Sequence, residues 1–215
     1  MVVVLSIVSV VVVGLIVYVF VLRPPSGTGG GTASATTVTT LGPDDPGTTL
    51  PEATFATFTS PSQGFSVKYP KDWAYISDDG GITLDAGGAG DAVDIRLLER
   101  TEIPTTVDNL VNIKAFTDGI VGSNKSAVIL KQQPIVVNGM PGYYYLYTFT
   151  EAETGAQGAH AHYFLFRGRN MYTLIFQALP QEGFARLSRV FDQMAESFQT
   201  QPDTGPAETT PTTAG

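Results

Sequence analysis

Phe65-Ser66-Val67-Lys68-Tyr69-Pro70-Lys71-Asp72-Trp73 alternates large apolar and polar side chains for five residues and then stops at a proline. A period of two marks a strand with one face buried, here the face of Phe65, Val67 and Tyr69. Pro70 cannot donate to a ladder, so it ends the pairing and turns the chain. Upstream, 55–59 alternates in the same way, and Pro61-Ser62-Gln63-Gly64 makes the turn between the two. Downstream, 82–84 and 92–98 are predicted strands around a Gly/Ala/Asp loop at 85–91. In the second strand Val93, Ile95 and Leu97 share one face.

The period then changes. Thr105 or Thr106 is placed to cap a helix carrying Val107, Leu110, Val111, Phe116 and Ile120, with Asp108 in its first turn and Gly122 at its end. Strands resume at 127–132 and 134–137. Asn138-Gly139 is a tight-turn signal, with Met140-Pro141-Gly142 lengthening the loop before a strand at 143–150. A hairpin joins 160–166 to 171–179 through Arg167-Gly168-Arg169-Asn170. In the last element, 181–198, Phe184, Leu187, Val190, Phe191, Met194 and Phe198 lie on one helical stripe. Hairpin-joined strands with few helices and no βα rhythm predict an α+β fold, an antiparallel sheet flanked by helices.

That unit spans 54–199 of 215 residues. Residues 2–22 form an apolar run of about 21, which at about 1.5 Å per residue just crosses a bilayer core. A retained transmembrane helix over 1–23 is expected, with the lipid bilayer as its partner. The core is too long for a signal peptide, no Lys or Arg precedes it, and Ala33-Ser34-Ala35 lies far beyond its end. Residues 24–53 are a Gly/Thr/Pro linker without large apolar content, and 200–215 a Pro/Thr tail; both are predicted disordered. Arg23 favours a cytoplasmic C-terminal side, whereas the stalk-like linker favours a domain outside the cell. We expect a single-pass protein of the cell membrane with an extracytoplasmic domain.

The net charge of −8, from 20 acidic and 12 basic residues, argues against nucleic-acid and anionic-lipid partners. With no cysteine, disulfides, thiolate metal sites and thiol nucleophiles are excluded.

The 65–73 string resembles the G-F-S-hydrophobic-x-Y/F-P-x-x-W opening of PsbP-like domains, relatives of an extrinsic subunit of the oxygen-evolving photosystem. Val136-Val137-Asn138-Gly139 before the aromatic strand 143–149, and Met171-Tyr172-Thr173-Leu174-Ile175-Phe176 before the final helix, match in order. The resemblance covers roughly 55–199 and implies an α/β/α sandwich around about six antiparallel strands, a fold shared with a eukaryotic Ran-release factor. Such different partners mean that the fold does not fix the function. The tethered layout is similar to envelope proteins of Gram-positive actinobacteria. Trp73, just past the strand, is expected to cover the sheet end, with ligand stacking as the alternative.

Candidate sites are few. His160 and His162 share one face of a strand and can begin a zinc or copper site, with Glu151 or Glu153 as further donors, or be a plain polar pair on an exposed face. Asp78, Asp79, Asp85, Asp91 and Asp94 are calcium-type ligands without the spacing of a calcium loop. Ser60, Ser62 and Ser66 lack a nucleophile elbow, and Gly87-Gly88-Ala89-Gly90 lacks the Lys-Ser/Thr of a phosphate loop. Asn124-Lys125-Ser126 is a glycosylation sequon. Tyr143, Tyr145 and Tyr147 face one side of their strand and Tyr144 the other; one side is core and the other, with Trp73, a possible interface. The sequence favours a non-enzymatic binding or assembly module for a protein or envelope component, without a cofactor. The alternative is a metal-binding protein or metal-dependent enzyme built on His160 and His162.

Overall fold

In the computed structural model, residues 47–201 are described, apart from 79, 89 and 101–103 and the side chains of 99 and 100. The expected membrane helix, most of the linker and the tail lie outside the described residues, among which no helix is long and apolar enough to cross a membrane.

The alternating segments on either side of the first turn pair as a hairpin, β1 (Phe55–Ser60) with β2 (Phe65–Pro70), in a register that sets Phe55 opposite Pro70. β3 (Ala74–Asp78), β4 (Gly81–Asp85) and β5 (Ala92–Arg100) follow as a meander. A 3-10 turn (Leu110–Ile113) then leads into α1 (Lys114–Ser123). Next come β6 (Val128–Val137), β7 (Met140–Thr150), β8 (Gln157–Arg167) and β9 (Asn170–Ala178), each antiparallel to the one before. α2 (Phe184–Ser197) and the two-residue β10 (Gln199–Thr200) complete the order. Seven strands form one sheet in the order β3-β4-β5-β9-β8-β7-β6; β1-β2-β10 is a second, small sheet.

The central strands of the large sheet are buried on both faces. On one, Ile82, Val93, Ile95, Leu174 and Phe176 meet Leu187, Phe191 and Met194 of α2 and Phe65 and Val67 of β2. On the other, Tyr143, Tyr145, Phe164, Phe166 and Met171 meet Leu110, Ile113, Phe116 and Val121. Two-sided burial explains why β9 reads as a nearly continuous apolar run rather than an alternation. Trp73 is half-buried and packs edge-on to Phe191 at 6.4 Å, on the α2 side of the sheet.

Four elements differ from expectation. Residues 104–109 are not helical: Thr106 N–H donates to Asn109 Oδ1 and the Asn109 amide donates to Pro104 O, a local turn that delays the helix to Lys114. β6 runs unbroken through Pro134, which is tolerated because β6 is a sheet edge. Asn138-Gly139 is a two-residue turn with φ of 48° and 79°, so Met140 already pairs with Val137 and no longer loop forms. β3, whose residues are all exposed, carries no burial pattern for a sequence reading to find.

Candidate functional site

α2 lies across β9 and β2 and leaves the β6–β8 side of the sheet face uncovered. The result is an open groove of about 690 Å³, within the range that holds ligands. Its floor is built by register. Gln133, Tyr144 and Tyr163 stand opposite one another on β6, β7 and β8, beside Lys131 and Ala161 in the neighbouring row. The Tyr144 and Tyr163 rings meet edge to face at 4.9 Å, and Lys131 Nζ sits 5.9 Å from the Tyr144 ring centre. The wall is α2, whose 3.6-residue turn puts Ser188, Asp192 and Glu196 on one flank.

Electrostatics tie floor to wall. Burial pushes the Tyr144 phenol up to about 12, and the Asp192 carboxylate adds to the shift. Tyr163 is raised by burial too, then by Tyr144, Asp192 and Glu196. Asp192 is itself raised, by burial and then by Glu196 one turn on, against a smaller opposing pull from Arg189. Neither Asp192 nor Glu196 forms an ion pair within 4 Å among the described residues. The groove thus presents two phenols, two carboxylates and the Lys131 ammonium to whatever enters it, a net negative set.

The other flank of α2 holds the chain's N-terminal approach. Leu50 N–H donates to Gln193 Oε1 at 2.8 Å, and Gln193 Nε2 donates back to Leu50 O at 2.9 Å. Arg186 and Gln193 lie about two turns apart on that flank, away from Asp192, so the approach leaves the groove open. At the far end, Asn138 Nδ2 donates to Glu196 O and Phe198 O, both at 2.8 Å, which fixes the β6–β7 turn against the end of α2.

No known family profile matches the sequence, and no curated relative matches it. Among solved structures, the solution structure of cyanobacterial PsbP (CyanoP) from Synechocystis superposes with a TM-score of 0.53 at 13% identity, over 82% of this chain and 99% of that one. The fold is PsbP-like. A crystal structure from Bacteroides thetaiotaomicron aligns at 16% identity with a TM-score of 0.48, over 71% of this chain and 50% of its own. At 13% identity the cyanobacterial structure shares the fold and does not transfer a function.

Within this PsbP-like frame the sequence-derived candidates separate. Tyr143, Tyr145 and Tyr147 are core, packed towards α1 and its sheet face, and only Tyr144 faces the groove. Sequence periodicity divided these tyrosines correctly but carried no sign of which side was covered. Tyr163, Asp192 and Glu196, the other groove residues, gave no signal because one helix and three strands must assemble before they meet.

His160 and His162 are not on an exposed face, as both sequence readings of them assumed; they are 7% and 2% exposed. Gln177 Nε2 donates to Gly90 O, so Gln177 Oε1 accepts from His160 Nε2–H at 2.6 Å, and His160 Nδ1 accepts from the Tyr147 hydroxyl at 2.9 Å. Both His160 nitrogens are thereby used. Glu151 is spent in its own turn on Glu153 N–H and Thr154, and no group of three His, Cys, Asp or Glu converges among the described residues. A metal at this pair would have to displace either Gln177 or Tyr147 from His160.

The acidic residues are dispersed into separate tasks. Asp94 holds Arg96 Nε at 3.0 Å through both oxygens and accepts from Thr83 at 2.8 Å; Asp78 takes Arg96 Nη1 at 3.2 Å. Burial raises the Asp94 carboxyl although Arg96 opposes the shift. Asp91 accepts from Leu179 N–H and pairs with Arg186 at 3.0 Å, and Asp85 accepts from Gly87 N–H. Asp79 lies outside the described residues. Ser60 and Ser66 belong to the small sheet, on the α2 side, so the large sheet stands between them and the histidines. Asn124 Oδ1 is bound by Ser126 N–H and hydroxyl, closing α1 into β6.

Proposed function

We propose that this chain is a membrane-tethered, extracytoplasmic, non-enzymatic module that binds a protein or envelope component in the groove between α2 and β6–β8. The observation that carries the reading is the open pair Tyr144 and Tyr163 beside Asp192 and Glu196. Aromatic rings of this kind are enriched where partners dock, and they offer contact area at little conformational cost. The PsbP-like fold supports the same reading, since the family resemblance implies assembly roles with unrelated partners. The approach through Leu50, on the opposite flank of α2, supports it further, because a tether there leaves the groove accessible.

A photocrosslinking residue placed at Gln133 in the full-length chain, in its own membranes, tests this. A discrete adduct is expected from Gln133 and none from Val111, an exposed position on the α1 side. Loss of the adduct on Tyr144→Ala with Tyr163→Ala supports the groove as the seat. No adduct from Gln133, or equal adducts from both positions, overturns the proposal.

A further inference from the structure

β6 is the last strand of the large sheet and, among the described residues, no strand pairs with its outer edge, which is bulged at Leu130: Val128, Ile129, Leu130 and Val136 are 59%, 44%, 60% and 59% exposed. Apolar side chains on an unpaired edge are a docking template that proteins otherwise hide. Pro134 fixes which backbone groups are free. It has no N–H, so within the strand its nitrogen points away from β7. Gln132 and Val136, two residues either side, share that outward register and present N–H and C=O to solvent, while Gln133 and Ile135 bond to β7. The side chains of Lys131, Gln133, Ile135 and Val137 point the other way round the strand, into the groove below. Edge and groove are therefore one surface.

Resting on the binding-module reading, we propose that this surface takes an extended, basic segment of a partner protein, added to β6 as an eighth strand. Backbone bonds to Gln132, Pro134 O and Val136 would supply affinity. Alternate side chains of the segment turn over the groove, where a Lys or Arg meets Asp192 and Glu196 and the Tyr144 and Tyr163 rings.

Other occupants fit less well. The chain's own tail beyond 201 carries Asp203 and Glu208 and no Lys or Arg, so the acidic wall repels it. A second copy brings another net charge of −8, and β6 paired with itself loses a donor at Pro134 in each copy. A basic strand from elsewhere is attracted by the same field and loses only one donor.

The test uses full-length chain in detergent micelles and a displayed library of random decapeptides, selected in parallel on the chain and on its Asp192→Asn, Glu196→Gln variant. Peptides with basic residues at alternate positions should be enriched on the chain. A synthetic copy of such a peptide should bind the variant at least about tenfold more weakly. N-methylation of its alternate amides should abolish binding for one set and spare the other, because only one set faces β6. No enrichment, enrichment of non-basic peptides, equal tolerance of both N-methyl sets, or dimerisation through β6 overturns strand addition. A Gln133 crosslink that persists through such a failure leaves the groove reading standing and removes only this one.

Discussion

His162 is buried with neither ring nitrogen hydrogen-bonded among the described residues, its ring 3.9 Å from that of Phe164. Its neighbour His160, on the same sheet face, is fully satisfied as the neutral ring. Burial holds His160 down to about 4 and His162 well below the ordinary 6.5, with His160 adding to the second shift. The unfolded chain therefore binds these protons more readily than the folded one. Stability is whole above pH 6.5 and falls as pH drops towards about 4, with roughly 3 kcal/mol at stake for His160 alone. Opposite results are expected from two similar substitutions. His162→Leu removes an unpaired polar group and should raise stability by about 1–3 kcal/mol at pH 7, and by more at pH 5. His160→Leu strands the Tyr147 hydroxyl and Gln177 Oε1 and should lower stability by about 1–3 kcal/mol at pH 7. Urea unfolding of the full-length chain at the two pH values checks both signs; destabilisation by His162→Leu at both would show that the ring is satisfied after all.

At the scale of elements, the sheet was legible wherever burial left a pattern. β2 and α2 each bury one face, and their alternation or helical stripe survives in the sequence, while β8 and β9, buried on both faces, show as apolar runs. β3 and β6 lie at the two edges, where one side has no partner and exposed residues dominate, so periodicity misses the first and breaks the second at Pro134. The groove was illegible for a related reason: it exists where α2 does not reach, and no residue announces the absence of a neighbour. One close contact shows how the groove floor is held together. Gly142 lies between Ile135 and Leu165, and a Cβ there would sit 2.1 Å from Phe164 O. Backbone cannot yield as a side-chain tip does, so Gly142→Ala must part β7 from β8. A loss of about 2 kcal/mol or more is expected, on the scale of overpacked interiors. Hydrogen exchange should quicken first at Leu165 and Phe164; an unchanged melting temperature would mean that the strands separate freely.

At the scale of the whole molecule, the proposed binding of a basic partner makes the side of the membrane on which the domain lies the property to measure. Arg23, the one basic residue beside the apolar run, argues for a cytoplasmic domain, and the Gly/Thr/Pro stalk for an external one. A single charge shifts topology weakly. By contrast, a segment with so little apolar content must hold whatever follows it away from the bilayer. The structure adds that the chain reaches α2 at Leu50, on the flank opposite the groove, so its described N-terminal residues leave the groove uncovered. The complete lack of cysteine makes the question unusually clean, because a single introduced thiol is the sole target for a maleimide. Lys125→Cys places it on an exposed loop between α1 and β6 without touching the groove or either core. In intact cells a membrane-impermeant maleimide should label that thiol as fully as it does after the membrane is opened. Labelling that appears only on permeabilisation would put the domain inside, leave Arg23 as the correct guide, and redirect the search for a basic partner to the cytoplasm.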